Sequence, residues 1–209
     1  MRVAIAGAGW FGCHIASELI LGGHEVTVFE ASDDVFTGTS GMNQNRLHLG
    51  FHYPRSYQTR EQSKKGFRLF VEQYPELSVP VPSNVYAIAE ERSLVDFETY
   101  RQVMDATEIE YSVRAPSDFG LVGVSGAITC QERLVATGRA RKHFREFLQP
   151  FRRLREPVTS VKAVRLGILV NGEHFDAIVS CTWGNLESHE KVDMRYESCL
   201  MLLYRGSEN

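Results

Sequence analysis

The stretch RVAIAGAGWFGCHIASELILGGHEVTVFE, residues Arg2–Glu30, decides the fold. Arg2–Ala6 is a short apolar run that ends at a glycine, which is typical of a buried strand. Trp10–Leu21 carries apolar residues at helical spacing and is followed by two glycines, which end helices. Glu25–Glu30 is again rich in apolar residues and predicts a second strand. The stretch therefore predicts a β-α-β unit, the building block of a parallel sheet in an α/β domain.

Three glycines separate the first strand from the helix. Gly7, Gly9 and Gly12 have the spacing G-x-G-x-x-G. In this context the first glycine permits a tight turn, the second lets the backbone approach a pyrophosphate, and the third lets the helix pack on the strand. The helix N-terminus also directs free N–H groups and the positive end of a dipole toward an anion. The spacing thus predicts a dinucleotide-binding turn.

An acidic residue ends the second predicted strand. Glu30 follows Gly12 by 18 residues, close to the offset of about 20 residues expected for a carboxylate that accepts hydrogen bonds from an adenosine ribose. A carboxylate at this place would repel a ribose 2′-phosphate. The alternative is a structural turn followed by a solvated glutamate. If Glu30 holds the ribose, its replacement by alanine should weaken ligand retention and leave the fold intact.

Composition and charge exclude several classes of protein. The chain has 209 residues, 43% of them hydrophobic and 23% charged, as in an ordinary globular protein. Its net charge of −3 gives no general attraction to nucleic acid or to an anionic membrane. The four cysteines are scattered without a C-x-x-C pair, so neither a metal site nor a disulfide framework is indicated. No apolar run approaches the length of a membrane-spanning helix, and we expect a cytoplasmic protein.

A long polar segment follows Glu30. A loop of this length inside a domain is usually functional, and its small and amide residues offer donors for a pyrophosphate. Further on, Arg46, His48 and His52 alternate with Leu47 and other apolar residues. In an extended segment this alternation sends the polar side chains to one face and the apolar ones to the other. The alternative is a half-exposed strand with a polar face and no function.

The glycine motif, the acidic strand end and the segment TSGMNQNRLHLGFHY, residues 39–53, together resemble one protein family. They are similar to FAD-dependent oxidoreductases of the D-amino-acid oxidase type, and most similar to the L-2-hydroxyglutarate oxidase branch with its segment S-G-x-N-x-G-x-x-H-x-G-x-x-Y. The chain departs from that segment at Asn45, where the branch has glycine, and at Arg46, where it has an apolar residue. The resemblance implies that both positions lie near the flavin ring, so the substrate need not be a 2-hydroxy acid. The matching residues are Ser40, Gly41, Asn43, His48, Gly50 and Tyr53.

The resemblance implies FAD as the cofactor and an α/β fold. The expected architecture is a Rossmann-like FAD-binding domain with a parallel sheet, interleaved with a smaller, incomplete α+β substrate domain. We assign residues 1–78 and 129–190 to the FAD-binding domain, and residues 79–128 and 191–209 to the substrate domain. Because family members are longer and carry a second glycine-rich turn that we do not find after Gly184, we expect this chain to lack the C-terminal part.

The resemblance also assigns site residues. Val158 would place a backbone group on the adenine. The run VSCTWG, residues 179–184, matches the strand end that returns to the pyrophosphate, although Trp183 interrupts the usual pattern and would either stack on the ligand or pack. The expected cofactor-binding residues are Gly7, Gly9, Trp10, Phe11, Gly12, Glu30, Ala31, Ser40, Asn45, Arg46, Leu47, Val158, Cys181, Thr182 and Gly184.

Two residues are candidates for catalysis. Arg46 or His48 would stabilise negative charge on the reduced flavin. His48 could instead act as a base toward an alcohol or as a covalent attachment point for the flavin. Arg55 or Arg60 could pair with a substrate carboxylate.

Periodicity predicts further elements along the chain. Residues 62–74 and 131–149 have helical spacing, and a third helix is expected to begin with Ser93 as its N-cap. The arginines of 131–149 are better explained as a solvated helix face than as a nucleic-acid surface. Residues 84–91 read as a strand, and three more strand signals follow at Val158–Val164, Gly167–Val170 and Phe175–Cys181.

Three functions are compatible with these features. The first is an FAD-dependent oxidoreductase, or its N-terminal portion, that oxidises a C–N or C–OH bond of a small polar substrate by hydride transfer to flavin. The second is a flavin-dependent sugar-ring mutase or a nicotinamide-dependent enzyme. The third is a non-catalytic dinucleotide-binding remnant. The expected partner is a small molecule and not a nucleic acid, and the oligomeric state is left open.

Overall fold

The computed structural model describes residues 1–184 and residue 186. The chain divides into two compact units: residues 45–140 form the second, and residues 1–44 with the described residues from 141 onward form the first. Residues 45–78 and 129–140 thus belong to the second unit, whereas we expected them in the FAD-binding domain. The predicted segment 191–209 lies outside the described residues. Which unit serves cofactor and which serves substrate stays a prediction.

Four α-helices lie within the described residues: α1 (Trp10–Leu21), α2 (Tyr57–Gln73), α3 (Phe97–Asp105) and α4 (Thr137–Phe147). The described strands are β1 (Arg2–Ala6), β2 (Glu25–Glu30), β3 (Arg46–Leu47), β4 (Ser78–Pro80), β5 (Asn84–Ala89), β6 (Tyr111–Arg114), β7 (Val124–Cys130), β8 (Arg133–Val135), β9 (Arg152–Leu154), β10 (Val161–Val164), β11 (Gly167–Val170), β12 (Glu173–Phe175) and β13 (Ala177–Ser180).

The first unit is built on a parallel sheet of order β13-β1-β2-β9. Strands β1 and β2 and helix α1 have the predicted bounds, so the β-α-β unit is confirmed. Helix α1 buries small residues, Gly12, Cys13, Ala16 and Ser17 among them, and such residues let a helix approach a sheet closely. The carboxyl ends of all four strands lie at one edge of the sheet, since parallel strands share their direction. This edge is where an open α/β sheet binds its ligand.

An antiparallel sheet of order β10-β11-β12 completes the first unit. Its residues Val170 and Phe175 are buried together with Ala4 and Phe29 of the parallel sheet in one apolar cluster. We predicted one strand over Phe175–Cys181, and it is interrupted at Asp176. The Asp176 N–H donates to the Arg2 carbonyl at 2.8 Å, which is where the chain leaves the antiparallel sheet for β13. Strand β10 begins at Val161 instead of Val158.

The second unit contains two antiparallel sheets, of order β3-β8-β4 and β5-β7-β6. Helix α3 packs on the second of them. The apolar core between helix α3 and the β5-β7-β6 sheet holds the buried side chains of Phe51, Tyr100, Met104, Ile109, Ile128 and Cys130. This core holds α3 and Phe51 against the β5-β7-β6 sheet.

Three helix boundaries differ from prediction. Helix α2 begins five residues before Gln62, since the Ser56 side chain accepts a hydrogen bond from the Thr59 N–H at 3.3 Å and caps the helix. Helix α3 is capped by Asp96, not by Ser93. The predicted helix over 131–149 is a strand followed by helix α4, because β8 pairs with both β3 and β4 and so removes Arg133–Val135 from the helical run.

Among the described residues, we find no helix with the length and apolar character needed to cross a membrane.

Candidate functional site

A cleft of about 410 Å³ opens at the carboxyl edge of the parallel sheet in the first unit. The ends of β1, β2 and β13 contribute to it, as do the polar segment after β2 and the loop after β9. Its lining residues are Ala6, Gly7, Gly9, Phe29, Glu30, Ala31, Ser32, Thr37, Gly38, Thr39, Ser40, Pro157, Val158, Cys181, Thr182, Trp183 and Leu186.

Two glycines of the turn after β1 have no room for a side chain. Gly7 has a φ of +96°, and a Cβ on it would lie 2.7 Å from the Cys181 carbonyl oxygen. A Cβ on Gly12 would lie 1.9 Å from the carbonyl oxygen of Gly7. These two glycines are needed by the fold itself. Gly9 differs, because its nearest neighbour would be the Ser40 Oγ at 3.0 Å, in the wall of the cleft.

The N-terminus of helix α1 faces a hydroxyl from a distant part of the chain. The Trp10 N–H donates to the Ser40 Oγ at 2.8 Å, while the N-cap residue Gly9 has no side chain to serve that purpose. The polar segment is held against the turn by a further bond, in which the Phe36 N–H donates to the Ala8 carbonyl at 2.9 Å. The long loop after β2 is therefore an ordered wall of the cleft, with hydroxyl and backbone groups at the helix N-terminus.

The backbone orients the carboxylate of Glu30. Its Oε2 accepts from the Ala8 N–H at 2.7 Å, and its Oε1 accepts from the Ser32 N–H at 2.9 Å. Each carboxylate oxygen has further acceptor capacity, and the side chain lines the cleft. Glu30 thus offers acceptors to a ligand hydroxyl. It also fastens the glycine turn to the end of β2, so its role is structural as well.

The cleft brings together eight of the predicted cofactor-binding residues. They are Gly7, Gly9, Glu30, Ala31, Ser40, Val158, Cys181 and Thr182.

Four other predicted residues of the first unit do not line the cleft. The Trp10 ring packs edge-on against Phe36 and Phe144, with ring centroids 5.4 and 5.5 Å apart, so only its main chain faces the turn. Phe11 is 74% exposed on the outer side of α1, and Gly12 is buried under the turn. Gly184 follows the cleft residue Trp183 in sequence. The remaining three, Asn45, Arg46 and Leu47, belong to the second unit.

The second unit holds a polar cluster centred on Glu132, whose side chain is fully buried. The Leu49 N–H donates to Oε1 at 2.7 Å, and the Tyr86 hydroxyl donates to Oε2 at 2.8 Å. The Arg46 guanidinium and the His48 Nδ1 each lie 3.4 Å from Oε2. One buried carboxylate therefore joins both predicted catalytic residues.

The cluster keeps Glu132 ionised and Tyr86 neutral. Burial alone raises the pKa of Glu132, but hydrogen bonds from His48, Tyr86 and the Leu49 N–H outweigh it, so the pKa lies below its usual value. Burial raises the pKa of Tyr86 strongly, and the negative charge of Glu132 raises it further. The Tyr86 hydroxyl is consequently a proton-bearing donor across the physiological range.

Arg46 and His48 are held on their other sides as well. Arg46 donates to the Asn84 side-chain oxygen and lies over the Tyr86 ring, 5.0 Å from its centroid. The His48 ring stacks with that of His52 at a centroid distance of 5.6 Å. Since Nδ1 of His48 faces the carboxylate, a neutral ring carries its proton there and leaves the lone pair on Nε2.

One of the two arginines considered for pairing with a substrate carboxylate, Arg60, makes other contacts. Arg60 is buried, and its guanidinium donates to the Thr107 hydroxyl and to the carbonyls of Tyr53 and Pro54 at 2.8–3.1 Å. These contacts tie α2 to the loop before it. The predicted pairing of Arg60 with substrate does not fit this arrangement, whereas Arg55 is exposed.

Sequence reasoning missed Glu132 and Tyr86. Glu132 stands in a stretch that periodicity assigned to a basic helix, where an acidic residue among several arginines attracts no notice. Tyr86 stands in a strand of ordinary composition. Two strand pairings bring these residues together. The pairing of β3 with β8 sets Leu47 opposite Arg133, next to Glu132, and the pairing of β5 with β7 sets Asn84 opposite Cys130.

Residues 2–196 match the sequence model of a family described as FAD dependent oxidoreductase. FPY4 of Fusarium mangiferae, an FAD-dependent monooxygenase, is 39% identical over 204 residues, which are 98% of this chain and 55% of that protein. The FAD-dependent monooxygenase kojA of Aspergillus flavus is 41% identical over 154 residues, 71% of this chain and 36% of that protein. The chain thus spans about half the length of the Fusarium relative, and its match spans less of the Aspergillus one.

Solved structures with the same fold include L-alpha-glycerophosphate oxidase from Mycoplasma pneumoniae with FAD bound, at a TM-score of 0.67 and 19% identity over 86% of this chain and 52% of that one. L-proline dehydrogenase from P. horikoshii has a TM-score of 0.63 at 18% identity, over 88% of this chain and 54% of that one. At these identities the likeness concerns the fold alone. It confirms the predicted α/β architecture with its parallel sheet.

Proposed function

The chain belongs to the FAD-dependent oxidoreductase family, and on that premise we propose that its first unit binds the ADP half of FAD in the cleft at the carboxyl edge of the sheet. We further propose that the chain is part of an enzyme that oxidises a C–N or C–OH bond of a small polar substrate. The observation that carries the first proposal is the convergence, in one cleft, of a glycine-rich turn, a helix N-terminus and an oriented carboxylate.

The residues of the cleft fit an adenosine diphosphate. A Cβ on Gly9 would approach the cleft wall to within 3.0 Å, so its absence leaves space for a group that contacts the backbone closely. Hydroxyl and backbone groups of Thr37–Ser40 and the α1 N-terminus suit a pyrophosphate. Glu30 suits ribose hydroxyls, and Val158 lies in the lining where the adenine is expected. The acceptor-only carboxylate disfavours a 2′-phosphate.

Direct binding measurements test this assignment. We expect the purified chain to bind ADP and FAD by calorimetry and to bind 2′,5′-ADP at least tenfold more weakly, since the extra phosphate would meet the charge of Glu30. Release of flavin on denaturation would separate tight from covalent binding. A chain that binds neither ADP nor FAD, or that prefers 2′,5′-ADP, would contradict the proposal.

When bound, FAD would supply the acceptor for a hydride, and residues of this chain would supply proton transfer and charge. We propose that Nε2 of His48 accepts the proton of a substrate amine or alcohol, and that Arg46 stabilises negative charge that develops during oxidation. Glu132 holds both side chains, at 3.4 Å each. The covalent attachment of flavin to His48 is an alternative that mass spectrometry of the denatured chain decides.

Monooxygenation is a second candidate, because the two curated relatives at 39% and 41% identity are named monooxygenases. The two reactions differ in what reduces the flavin and in where oxygen goes. In hydride oxidation, a panel of amino and hydroxy acids should contain a compound that bleaches the flavin without oxygen and without a nicotinamide. In monooxygenation, one atom of labelled O₂ should enter the product. A non-catalytic remnant would bind FAD and do neither.

A further inference from the structure

Trp183 stands at the cleft in a backbone conformation that does not suit it. It follows β13 and lines the cleft, yet its side chain is 74% exposed. Its φ is +58°, in the left-handed region that glycine adopts freely and that is unusual for a bulky residue. Residues in such conformations collect at sites where a ligand is held. Folding alone would favour glycine here.

The position of Trp183 follows from its neighbours. Two residues earlier, the Cys181 N–H donates to the Ala6 carbonyl at 2.8 Å, and the Cys181 carbonyl faces Gly7. The chain at this point is therefore fastened to the end of β1, where the glycine turn begins. Trp183 follows that anchor by two residues and lines the same cleft as Gly7 and Gly9.

The exposed indole of Trp183 has properties that suit contact with a ligand. Its large flat apolar face gains no stabilisation from burial while it is exposed to water, and its N–H is a hydrogen-bond donor. When a ligand enters the cleft, the ring can cover it and lose contact with solvent. This burial offsets the cost of the backbone conformation only in the bound state.

We propose that Trp183 covers the ADP half of FAD and closes the cleft over the bound dinucleotide. This inference rests on the proposed function, since it takes the ligand of the cleft to be FAD. It adds a contact residue that neither the glycine motif nor the acidic strand end indicates. The residue binds the cofactor and takes no part in the oxidation.

The proposal is tested by substitutions that distinguish the effect of the aromatic ring from the effect of the backbone conformation. Trp183→Ala and Trp183→Phe both keep a Cβ at the same φ, but only phenylalanine keeps an aromatic face. We expect the Kd for ADP to rise about tenfold in Trp183→Ala and to change less than about threefold in Trp183→Phe, in keeping with the contribution of aromatic stacking. ADP is the probe, because it reports on this half of the cofactor without the flavin.

Trp183→Gly should change thermal stability and affinity for ADP in opposite directions. Glycine adopts this φ without strain, so the ligand-free variant should melt at the same temperature as the wild type or higher, while its Kd for ADP rises about tenfold. Arg92→Gly is the matched control: Arg92 is exposed, has a φ of +63° and does not line the cleft. We expect it to leave the Kd unchanged.

Fluorescence gives an independent measurement. The chain has two tryptophans, and the Trp10 ring is packed against Phe36 and Phe144. ADP should change the emission of the wild type and leave that of Trp183→Phe, which reports Trp10 alone, nearly unchanged. If the wild type binds ADP and the Ala and Gly variants bind it equally well, the proposal for Trp183 is wrong and the cleft assignment stands. If the wild type binds neither ADP nor FAD, the proposed function fails together with it.

Discussion

Replacing Glu132 by glutamine should destabilise the second unit. Glu132 is fully buried and accepts hydrogen bonds from the Leu49 N–H and the Tyr86 hydroxyl at 2.7 and 2.8 Å. Glutamine keeps one acceptor oxygen and turns an amide NH₂ toward the other donor. It also removes the negative charge 3.4 Å from Arg46 and from the Nδ1 of His48.

The expected loss can be estimated from these contacts. A hydrogen bond to a charged group contributes about 1.5–3 kcal/mol, and a buried donor left without an acceptor costs about 1–3 kcal/mol. We therefore expect Glu132→Gln to lower the free energy of unfolding by about 3 kcal/mol. For a chain of this size, 1 kcal/mol corresponds to about 2–4 °C in Tm, so Tm should fall by about 6–12 °C.

The pH dependence has a definite sign. The pKa of Glu132 in the folded protein lies below the ordinary value of 4.5, so the ionised carboxylate stabilises the fold above the ordinary value. The stabilisation is lost as the pH falls through the lowered pKa. The difference in Tm between wild type and Glu132→Gln should therefore be largest near neutral pH and should close in acid.

Thermal unfolding followed by circular dichroism at neutral and acidic pH measures both effects. Glu98→Gln is the control in the same unit, because Glu98 is 65% exposed and pairs with Arg101 at 3.3 Å on the surface of α3. Such an exposed pair stabilises little, so this variant should melt like the wild type. A Glu132→Gln protein that also melts like the wild type, or a deficit that persists unchanged in acid, would refute the buried-carboxylate reasoning.

Two further changes probe the first unit. Glu30→Ala should raise the Kd for ADP about tenfold and also lower Tm, since two main-chain N–H groups lose their acceptor at 2.7 and 2.9 Å. The fold should stay intact, and unchanged ADP binding in this variant would count against the ribose role of Glu30. Gly12→Ala should prevent folding, because its Cβ would lie 1.9 Å from the Gly7 carbonyl oxygen. In the control Gly66→Ala, the new Cβ in α2 meets nothing within 4 Å, and we expect a gain of about 0.5–1 kcal/mol. A soluble, cooperatively melting Gly12→Ala protein would contradict the close approach of turn and helix.

Several features of the site were accessible from local patterns. The bounds of β1, α1 and β2 follow from apolar spacing and glycines, because neighbouring residues in the chain decide whether a short segment is strand or helix. The cleft residues after β1 and at the end of β2 follow in the same way, from motif and spacing. Their contacts with a cofactor stay predictions.

Other features were not accessible in this way. The stretch Arg133–Val135 has the spacing of the helix that follows it and became a strand, because two partners distant in sequence were available to pair with it. Ser40 reaches the N-terminus of α1 across 30 positions of chain. No pattern within either segment indicates such a partner, since the partner is chosen by the path of the whole chain.

By itself, the sequence determined the β-α-β unit, the glycine-rich turn and the acidic strand end, because each depends on residues within one turn, strand or helix. Only the tertiary structure decided that Glu132 and Tyr86 join Arg46 and His48, and that Trp183 stands exposed at the cleft with a positive φ. The physical reason is that hydrogen bonds to a buried charge, and the strain of a single backbone angle, depend on which distant segments the fold brings into contact.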